Sequence, residues 1–323
     1  MVDCHYDLLS ICYVCYLKND YSKIDTIARE IRSLGEDIKC IFANLYFMSI
    51  EEMKEELHPN YYNNNVSVLE MFKISKSILE YYLPNIEFIY SIEGLDYVNI
   101  KDLLGLYEAG LRSIIPVWNN ENKYGSGYKT DKGLTKEGRD LINEAISLGF
   151  GIDLSHANEN TFKGITEVIK QNQKLNHEVI CYASHSNSKT LCKRFRNLSD
   201  EQLKIIKEID GLVGVFSNRN FVCDNYNLSN DEIKLEYLKH IIYIVNIVGI
   251  DNVMLSTDDM KFLADYDKDY LETSIFDYSN IVVDIKKLLL TYFNFDDTNK
   301  IMYDNANDKI INKLNKNIIK KCK

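Results

Sequence analysis

Residues 149–186 open with Gly149-Phe150-Gly151-Ile152-Asp153-Leu154-Ser155-His156 and close with Glu178-Val179-Ile180-Cys181-Tyr182-Ala183-Ser184-His185-Ser186. Between them lies a segment of helical period, Glu159–Gln171. Short apolar runs of this length read as buried strands, and a strand–helix–strand unit joins parallel strands. Both runs end in Ser-His, so the two histidines occupy equivalent strand ends. Outward from this unit the alternation continues. Strand candidates lie at Met1–His5, Cys40–Tyr46, Ile86–Ile92, Ser113–Val117, Gly149–Leu154, Glu178–Ser184, Gly211–Phe216 and Asn252–Ser256. Helical patterns fill Ser22–Leu34, Val66–Tyr82, Lys101–Ala109, Thr135–Leu148, Glu159–Gln171, Ser199–Ile209 and Asp231–Val248, and follow the last strand at Ser279–Phe293 and Thr298–Ile319. Thr135 and Ser199 are N-cap residues, and Gln202, three residues after Ser199, completes a capping box. Eight strands alternating with helices predict a closed (β/α)8 barrel rather than an open doubly wound sheet. No Gly-x-Gly-x-x-Gly turn follows any strand, and there is no Walker A loop. The whole chain, 1–323, is expected to be one barrel domain with C-terminal helices over 279–319.

Composition bounds the function. The chain has 323 residues, 46% of them hydrophobic, with only 3 prolines, which excludes a disordered protein. The net charge is -10, which argues against a nucleic-acid surface. The dense basic run, Lys316–Lys323, reads as a solvated helix end. The most apolar segment, His240–Leu255, is broken by Asn246, Asp251 and Asn252, so no membrane span is expected. The first residues lack the basic and apolar regions of a signal peptide, and a reducing cytoplasm is the expected compartment. Cys12 and Cys15 form a lone C-x-x-C with no second pair, so they read as buried thiols rather than a zinc knuckle.

Three of the six histidines fall at strand ends. His5 and Asp7 are spaced i, i+2, which places both on one side of an extended chain. His156 and His185 end two later strands, and in a barrel all three converge on the C-terminal rim. Glu93, in Ile92-Glu93-Gly94, ends another strand, where an inward carboxylate is costly unless paired or metal-bound. Asp258 ends the last strand. His58, His177 and His240 sit in helices or loops and receive no role. The polar stretch Asn119–Lys132, with Gly125 and Gly127, reads as a βα loop on the functional face. A His–Asp pair, a His–His pair and a carboxylate between them suit zinc, and also manganese, cobalt or iron. Paired metals of this kind are a hydrolytic device.

These fragments, in this order, resemble the membrane (renal) dipeptidase family of zinc peptidases, within the amidohydrolase-like barrels. The opening Val2-Asp3-Cys4-His5-Tyr6-Asp7-Leu8 is similar to the family's Asp-x-His-x-Asp-Leu start. Further matches are Ile92-Glu93-Gly94, Gly110-Leu111-Arg112-Ser113, Trp118-Asn119-x-x-Asn122, Gly133-Leu134-Thr135-x-x-Gly138, Ile152–His156, Ser184-His185-Ser186-Asn187 and Arg196-Asn197-Leu198-x-Asp200. The match runs from Val2 to about Asn305. The resemblance implies two zinc ions per chain: His5 and Asp7 on the first, His156 and His185 on the second, and Glu93 bridging both with a hydroxide. It implies that Arg196 binds the substrate carboxylate, that Trp118 and Asn119 belong to the substrate site, and that Asp258 shuttles the proton from water to the leaving amine. The expected activity is hydrolysis of free dipeptides, L-L and as a candidate L-D, by a barrel that in this family is often a homodimer.

The chain departs from the family pattern in four places. Trp118 stands where many members carry a histidine that holds the substrate carbonyl. The last strand continues Ser256-Thr257-Asp258-Asp259-Met260-Lys261 instead of Gly-Ser-Asp-Phe-Asp-Gly. The closing Gly-Asn-x-x-Arg is reduced to Asp304-Asn305-Ala306-Asn307-Asp308. His185 follows His156 by 29 residues, a longer gap than usual, placed in the helix and loop Glu159–Glu178. Two alternatives follow: a barrel amidohydrolase acting on another amide or a lactam, and a catalytically lapsed binding protein.

Overall fold

A computed structural model describes residues 1–46, 66–259 and 273–321, with side chains to residue 316. Eight strands, all paired in parallel, form one sheet in the order β1 to β8: Val2–Tyr6, Cys40–Tyr46, Glu87–Glu93, Leu111–Ile115, Gly151–Asp153, Ile180–Ala183, Leu212–Phe216 and Val253–Ser256. β8 meets β1 through the Asp258 N–H, which donates to the His5 carbonyl at 3.0 Å. The Asp3 carboxylate adds to this seam by accepting from the Thr257 N–H at 2.9 Å and the Thr257 hydroxyl at 2.7 Å. The fold is therefore a (β/α)8 barrel of the TIM type, as the alternation predicts.

Most helices stand where the periodicity places them. Lys136–Leu148 begins at Thr135, whose hydroxyl accepts from the Gly138 N–H. Asp200–Glu208 begins with the predicted Ser199–Gln202 capping box. Glu159–Lys174 runs one turn further than its pattern, which takes up part of the long gap between His156 and His185. One helix has no counterpart in the sequence reading. Leu8–Lys18 leads directly out of β1, and it buries Leu8, Leu9, Ile11, Cys12, Tyr13 and Cys15. An apolar stretch on nearly all sides carries no 3.6 period to detect. Cys12 and Cys15 are buried thiols, as expected. Beyond β8 the predicted helix Thr298–Ile319 is present as an unbroken helical run from Phe295 to Lys321, widened into π-helical turns at Lys300–Asp304 and Asn307–Ile311.

Apolar packing occurs in two bodies. One lies between sheet and helices. The other fills the lower barrel with Val2, Cys4, Cys40, Phe42, Ile89, Ile180, Tyr182, Leu212 and Met254, and the C-terminal residues Ala306, Ile310, Ile311 and Leu314 pack against it. Asn305 fastens that segment by donating to the carbonyls of Ile250 and Val253 at 2.8 and 2.7 Å. No described helix is long and apolar enough to cross a membrane. His58, Met260, Lys261 and the side chains of Asn317–Lys323 in the basic tail lie outside the described residues.

Candidate metal centre

The functional residues stand at the C-terminal ends of the strands because the alternation that points apolar side chains into the lower barrel points polar ones into its upper end. On β2 the inner face reads Cys40, Phe42, Asn44; on β3 it reads Ile89, Ser91, Glu93. Glu93, at the last position of β3, is buried, and three imidazoles surround it. Its Oε1 lies 2.6 Å from His156 Nε2 and 3.7 Å from His185 Nε2, while its Oε2 lies 3.3 Å from His5 Nε2. One carboxylate oxygen thus faces the His156–His185 side and the other faces the His5 side. Asp7, just past β1, completes the second side, with Oδ1 3.7 Å from His5 Nε2. Asp258 Oδ1 is 3.8 Å from the same nitrogen. The structure therefore brings together all six residues: His5, Asp7, Glu93, His156, His185 and Asp258.

The backbone is bent to achieve this. His156 and Asp258 both adopt positive φ, +67° and +48°, at the first turn after β5 and β8. Left-handed backbone at non-glycine residues is uncommon and tends to cluster at functional sites. β7 approaches the Ser184 carbonyl so closely that a Cβ on Gly214 would lie 1.8 Å from that oxygen, so only glycine fits there. The Ser186 N–H donates to the Gly214 carbonyl at 2.8 Å and fixes the chain around His185. The loop after β4 needs a second glycine: a Cβ on Gly127 would overlap the Trp118 carbonyl.

The ring nitrogens that do not face Glu93 are held from behind. His185 Nδ1 is 2.7 Å from Ser184 Oγ, and His156 Nδ1 is 3.1 Å from Asn119 Oδ1. Asn44 donates through one amide nitrogen to Asp7 Oδ1 at 2.7 Å and to Glu93 Oε2 at 2.8 Å. Such outer contacts orient metal ligands. Asn44 was not anticipated from the sequence, although its place two residues after Phe42 on the inner face was the available signal. Two buried carboxylates beneath the ligands were also missed. Asp153 accepts from the N–H groups of Ser155 and Ser184 at 2.9 and 3.0 Å. Asp3 accepts from Thr257 and from the Tyr278 hydroxyl at 3.1 Å.

The residues present fit a divalent cation. Nε2 of His156 and Nε2 of His185 lie 2.9 Å apart. His5 Nε2 and Glu93 Oε1 are buried and, despite their close ring and carboxylate neighbours, make no well-aligned hydrogen bond among the described residues. Two groups here could each hold an ion, His5, Glu93 and His185 in one and His5, Asp7 and Asp258 in the other, with the ligand atoms in each within 4.8 Å of one another. The donors are nitrogen and oxygen only, a set that suits zinc or manganese. Protons distribute unevenly across the cluster. Burial pushes Asp7 up to about 7, and His5 only partly opposes it. Burial, the largest single influence, would lower His5, but the carboxylates of Glu93, Asp7 and Asp258 together outweigh it and raise His5 to about 10. Burial and Arg196 lower His156 to about 4, and burial and His5 lower His185 well below its ordinary value.

A cavity of about 1130 Å³ is lined by Arg194, Arg196, Arg219, Tyr226 and Thr273 among others; none of the six cluster residues lines it, and Arg196, which reaches the His185 carbonyl, connects the two. Arg196 is buried and donates to Ser186 Oγ at 3.2 Å and to the His185 carbonyl at 3.0 Å. Trp118 is half-buried, with its ring 4.8 Å from that of Tyr46 and 6.1 Å from that of His156. Asn119 stands against His156.

Comparison with known proteins assigns this arrangement to a family. Residues 60–272 match the profile described as membrane dipeptidase, peptidase family M19. An uncharacterized protein from the pqqA 5' region of Klebsiella pneumoniae is 36% identical over 168 residues, which are 49% of this chain and 58% of that protein. An uncharacterized dipeptidase of Schizosaccharomyces pombe is 31% identical over 166 residues, 49% of this chain and 37% of that protein. The chain thus spans about half the length of the curated relatives it matches. Among solved structures, a Rhodobacter sphaeroides metallopeptidase, liganded with a phosphinate mimic of the dipeptide L-Ala-D-Ala, superposes with a TM-score of 0.70 at 19% identity, over 97% of this chain and 98% of that one. A probable dipeptidase of Pseudomonas aeruginosa superposes with a TM-score of 0.66 at 15% identity, over 89% and 88%. These likenesses show the shared barrel. By the profile match, which covers well over half of its residues, the chain belongs to the membrane dipeptidase family.

Proposed function

We propose that the protein is a metal-dependent dipeptidase that hydrolyses free dipeptides and carries two zinc ions held by His5, Asp7, Glu93, His156 and His185. The observation that carries this reading is the division of Glu93, with one oxygen toward each histidine group. When bound, the metals would supply an acidified water and polarise the scissile carbonyl. The protein's own part is orientation and exclusion. Asn44 holds Asp7 and Glu93 in place, and Ser184 and Asn119 fix the imidazole rings. Arg196, anchored by Ser186 and the His185 carbonyl, presents a guanidinium to the cavity, where a planar fork suits the substrate's terminal carboxylate. Asp258 is assigned the proton that passes to the leaving amine. It is the carboxylate on the more open side of the cluster, its side chain 15% exposed against 3% for Glu93. Trp118 has no proton to exchange at its ring face and is assigned to the wall beside His156.

The test is a dipeptide panel, L-L and L-D, given to chelator-stripped protein before and after zinc is restored. Cleavage of free dipeptides that depends on zinc, with N-acetylated and longer peptides untouched, is the expected result. Failure of zinc, manganese and cobalt alike to restore any dipeptide cleavage would point to the other amide or lactam substrates of this barrel class.

A further inference from the structure

The chain has 38 basic residues, of which only seven are arginines, and three of those seven line the cavity that Arg196 connects to the metal centre. The protein is acidic overall, yet no aspartate or glutamate stands among the described residues lining that cavity. The three guanidinium groups are not equivalent. Arg194 is already paired with Asp224 at 2.8 Å and donates to the Tyr226 hydroxyl at 2.9 Å. Arg196 is anchored behind His185 and is taken up by the role proposed above. Arg219, just after β7, is the third. One of its nitrogens, Nη2, donates to the carbonyls of Tyr226 and Leu228 at 3.1 and 2.7 Å. Among the described residues, no carboxylate lies within ion-pair distance of Arg219, and its Nη1 and Nε make no hydrogen bond. The two bonds at Nη2 restrain the side chain, so less of its freedom is lost when a ligand binds.

A half-buried arginine with no counter-ion among the described residues, in a cavity also lined by Asn220, Asn230, Thr273 and Ser274, is suited to an anion. We propose that Arg219 is a specificity residue that receives a side-chain carboxylate of the substrate, so that the enzyme prefers dipeptides ending in aspartate or glutamate. This rests on the dipeptidase reading: Arg196 takes the terminal carboxylate and Arg219 the second one. The substrate class is then a dianionic dipeptide. Its two negative charges meet two guanidinium groups, and Arg194 keeps the partner it already has.

The experiment compares Ala-Glu with its neutral isostere Ala-Gln. On the zinc-loaded protein, kcat/KM for Ala-Glu should exceed that for Ala-Gln by about ten- to a hundredfold, the range of one charge-assisted hydrogen-bonded contact. Equal values in the unmodified protein would overturn the proposal without any variant. In Arg219→Met the Glu-over-Gln ratio should fall toward one, and an unchanged ratio would remove Arg219 from the role. Arg219→Lys should keep a measurable part of the preference. If it falls as far as the methionine variant, the side chain acts only by holding the Tyr226–Leu228 turn, and the proposal fails. A second readout does not need turnover. Trp118 is the sole tryptophan of the chain and lies beside His156. Its fluorescence can report binding of reduced-amide analogues of Ala-Glu and Ala-Gln, which cannot be hydrolysed. Tighter binding of the Glu analogue, lost in Arg219→Met, supports the second carboxylate site; equal binding overturns it. Absence of cleavage of every dipeptide would instead count against the dipeptidase reading, and the binding ratio would remain separately legible.

Discussion

The inner face of the barrel holds two environments on the same strands. In the lower half, Val2, Cys40, Phe42, Ile89, Ile180, Tyr182, Leu212 and Met254 pack together, and Phe42 meets Tyr182 edge to face at 5.9 Å. Nearer the strand ends stand Asn44, Glu93, Asp153 and Ser184, tied by hydrogen bonds to the ligands and to one another. The alternation of side chains is the same in both halves. What differs is how each half resists change. The floor depends on volume, because close-packed apolar residues lose contact energy when a void is left. The rim depends on the identity of single polar atoms, because a buried carboxylate or imidazole without its partner is costly.

This contrast can be broken at four points. The largest effect is expected at Glu93→Gln, which removes the charge shared by the two histidine groups. Turnover should fall by more than about a thousandfold, as expected when charge stabilisation worth several kcal/mol is lost. Bound zinc, measured by elemental analysis, should fall with it, while circular dichroism stays native. A variant that keeps its zinc and its turnover would end the bridging assignment. Phe42→Ala should act in the opposite sense, lowering stability by about 3–5 kcal/mol. Zinc affinity of the folded protein should stay close to that of the parent. A large loss of affinity in this variant would mean that the halves are not separable.

The third test is pH. His240 lies behind the rim, where its Nδ1 accepts from the Ser188 N–H at 3.0 Å and its Nε2 donates to the Val222 carbonyl at 2.9 Å. Burial lowers it to about 4 from 6.5, with Val222 and Glu236 opposing only in part. The unfolded chain therefore takes up a proton first as pH falls. The contribution of His240 to stability is complete above about pH 6.5 and diminishes by about 3 kcal/mol as pH approaches 4. His240→Gln can keep both hydrogen bonds but cannot titrate, so its stability should depend less on pH over that window. Identical pH profiles for the two proteins would refute the assignment. The smallest effect is expected at Asn44→Ala, where zinc affinity should weaken by about ten- to a hundredfold, as for other groups that orient ligands. Competition with a chromogenic chelator measures it. Unchanged affinity would make Asn44 a bystander of the cluster.

The strand ends were the most legible part of the chain. His5, Glu93, His156, His185 and Asp258 each follow a short apolar run, and a barrel brings all such ends to one rim. The supporting residues were less visible. Asn44 sits inside an apolar strand, and its importance depends on which face points inward and what stands opposite, neither of which a local window contains. Asp3 resembles one more polar residue before His5, and its partners, Thr257 and Tyr278, lie more than 250 residues away. The helix Leu8–Lys18 escaped detection because burial on most sides erased its period. The pairing of Arg194 with Asp224, which leaves Arg219 without an ion-pair partner among the described residues lining the cavity, has no sequence signal at all.

The segment that closes the floor has a consequence for biosynthesis. Ala306, Ile310, Ile311 and Leu314 reach the lower barrel only after all eight strands have been made, and Thr257 must emerge before Asp3 has its partner. A nascent chain that already carries every proposed metal ligand therefore still exposes an unfinished apolar cluster at its base. Chains grow from the N-terminus, and partly folded barrels with open apolar surface associate readily. A stalled ribosome holding the chain short of residue 314 should therefore present every proposed metal ligand on a barrel whose floor is not yet sealed.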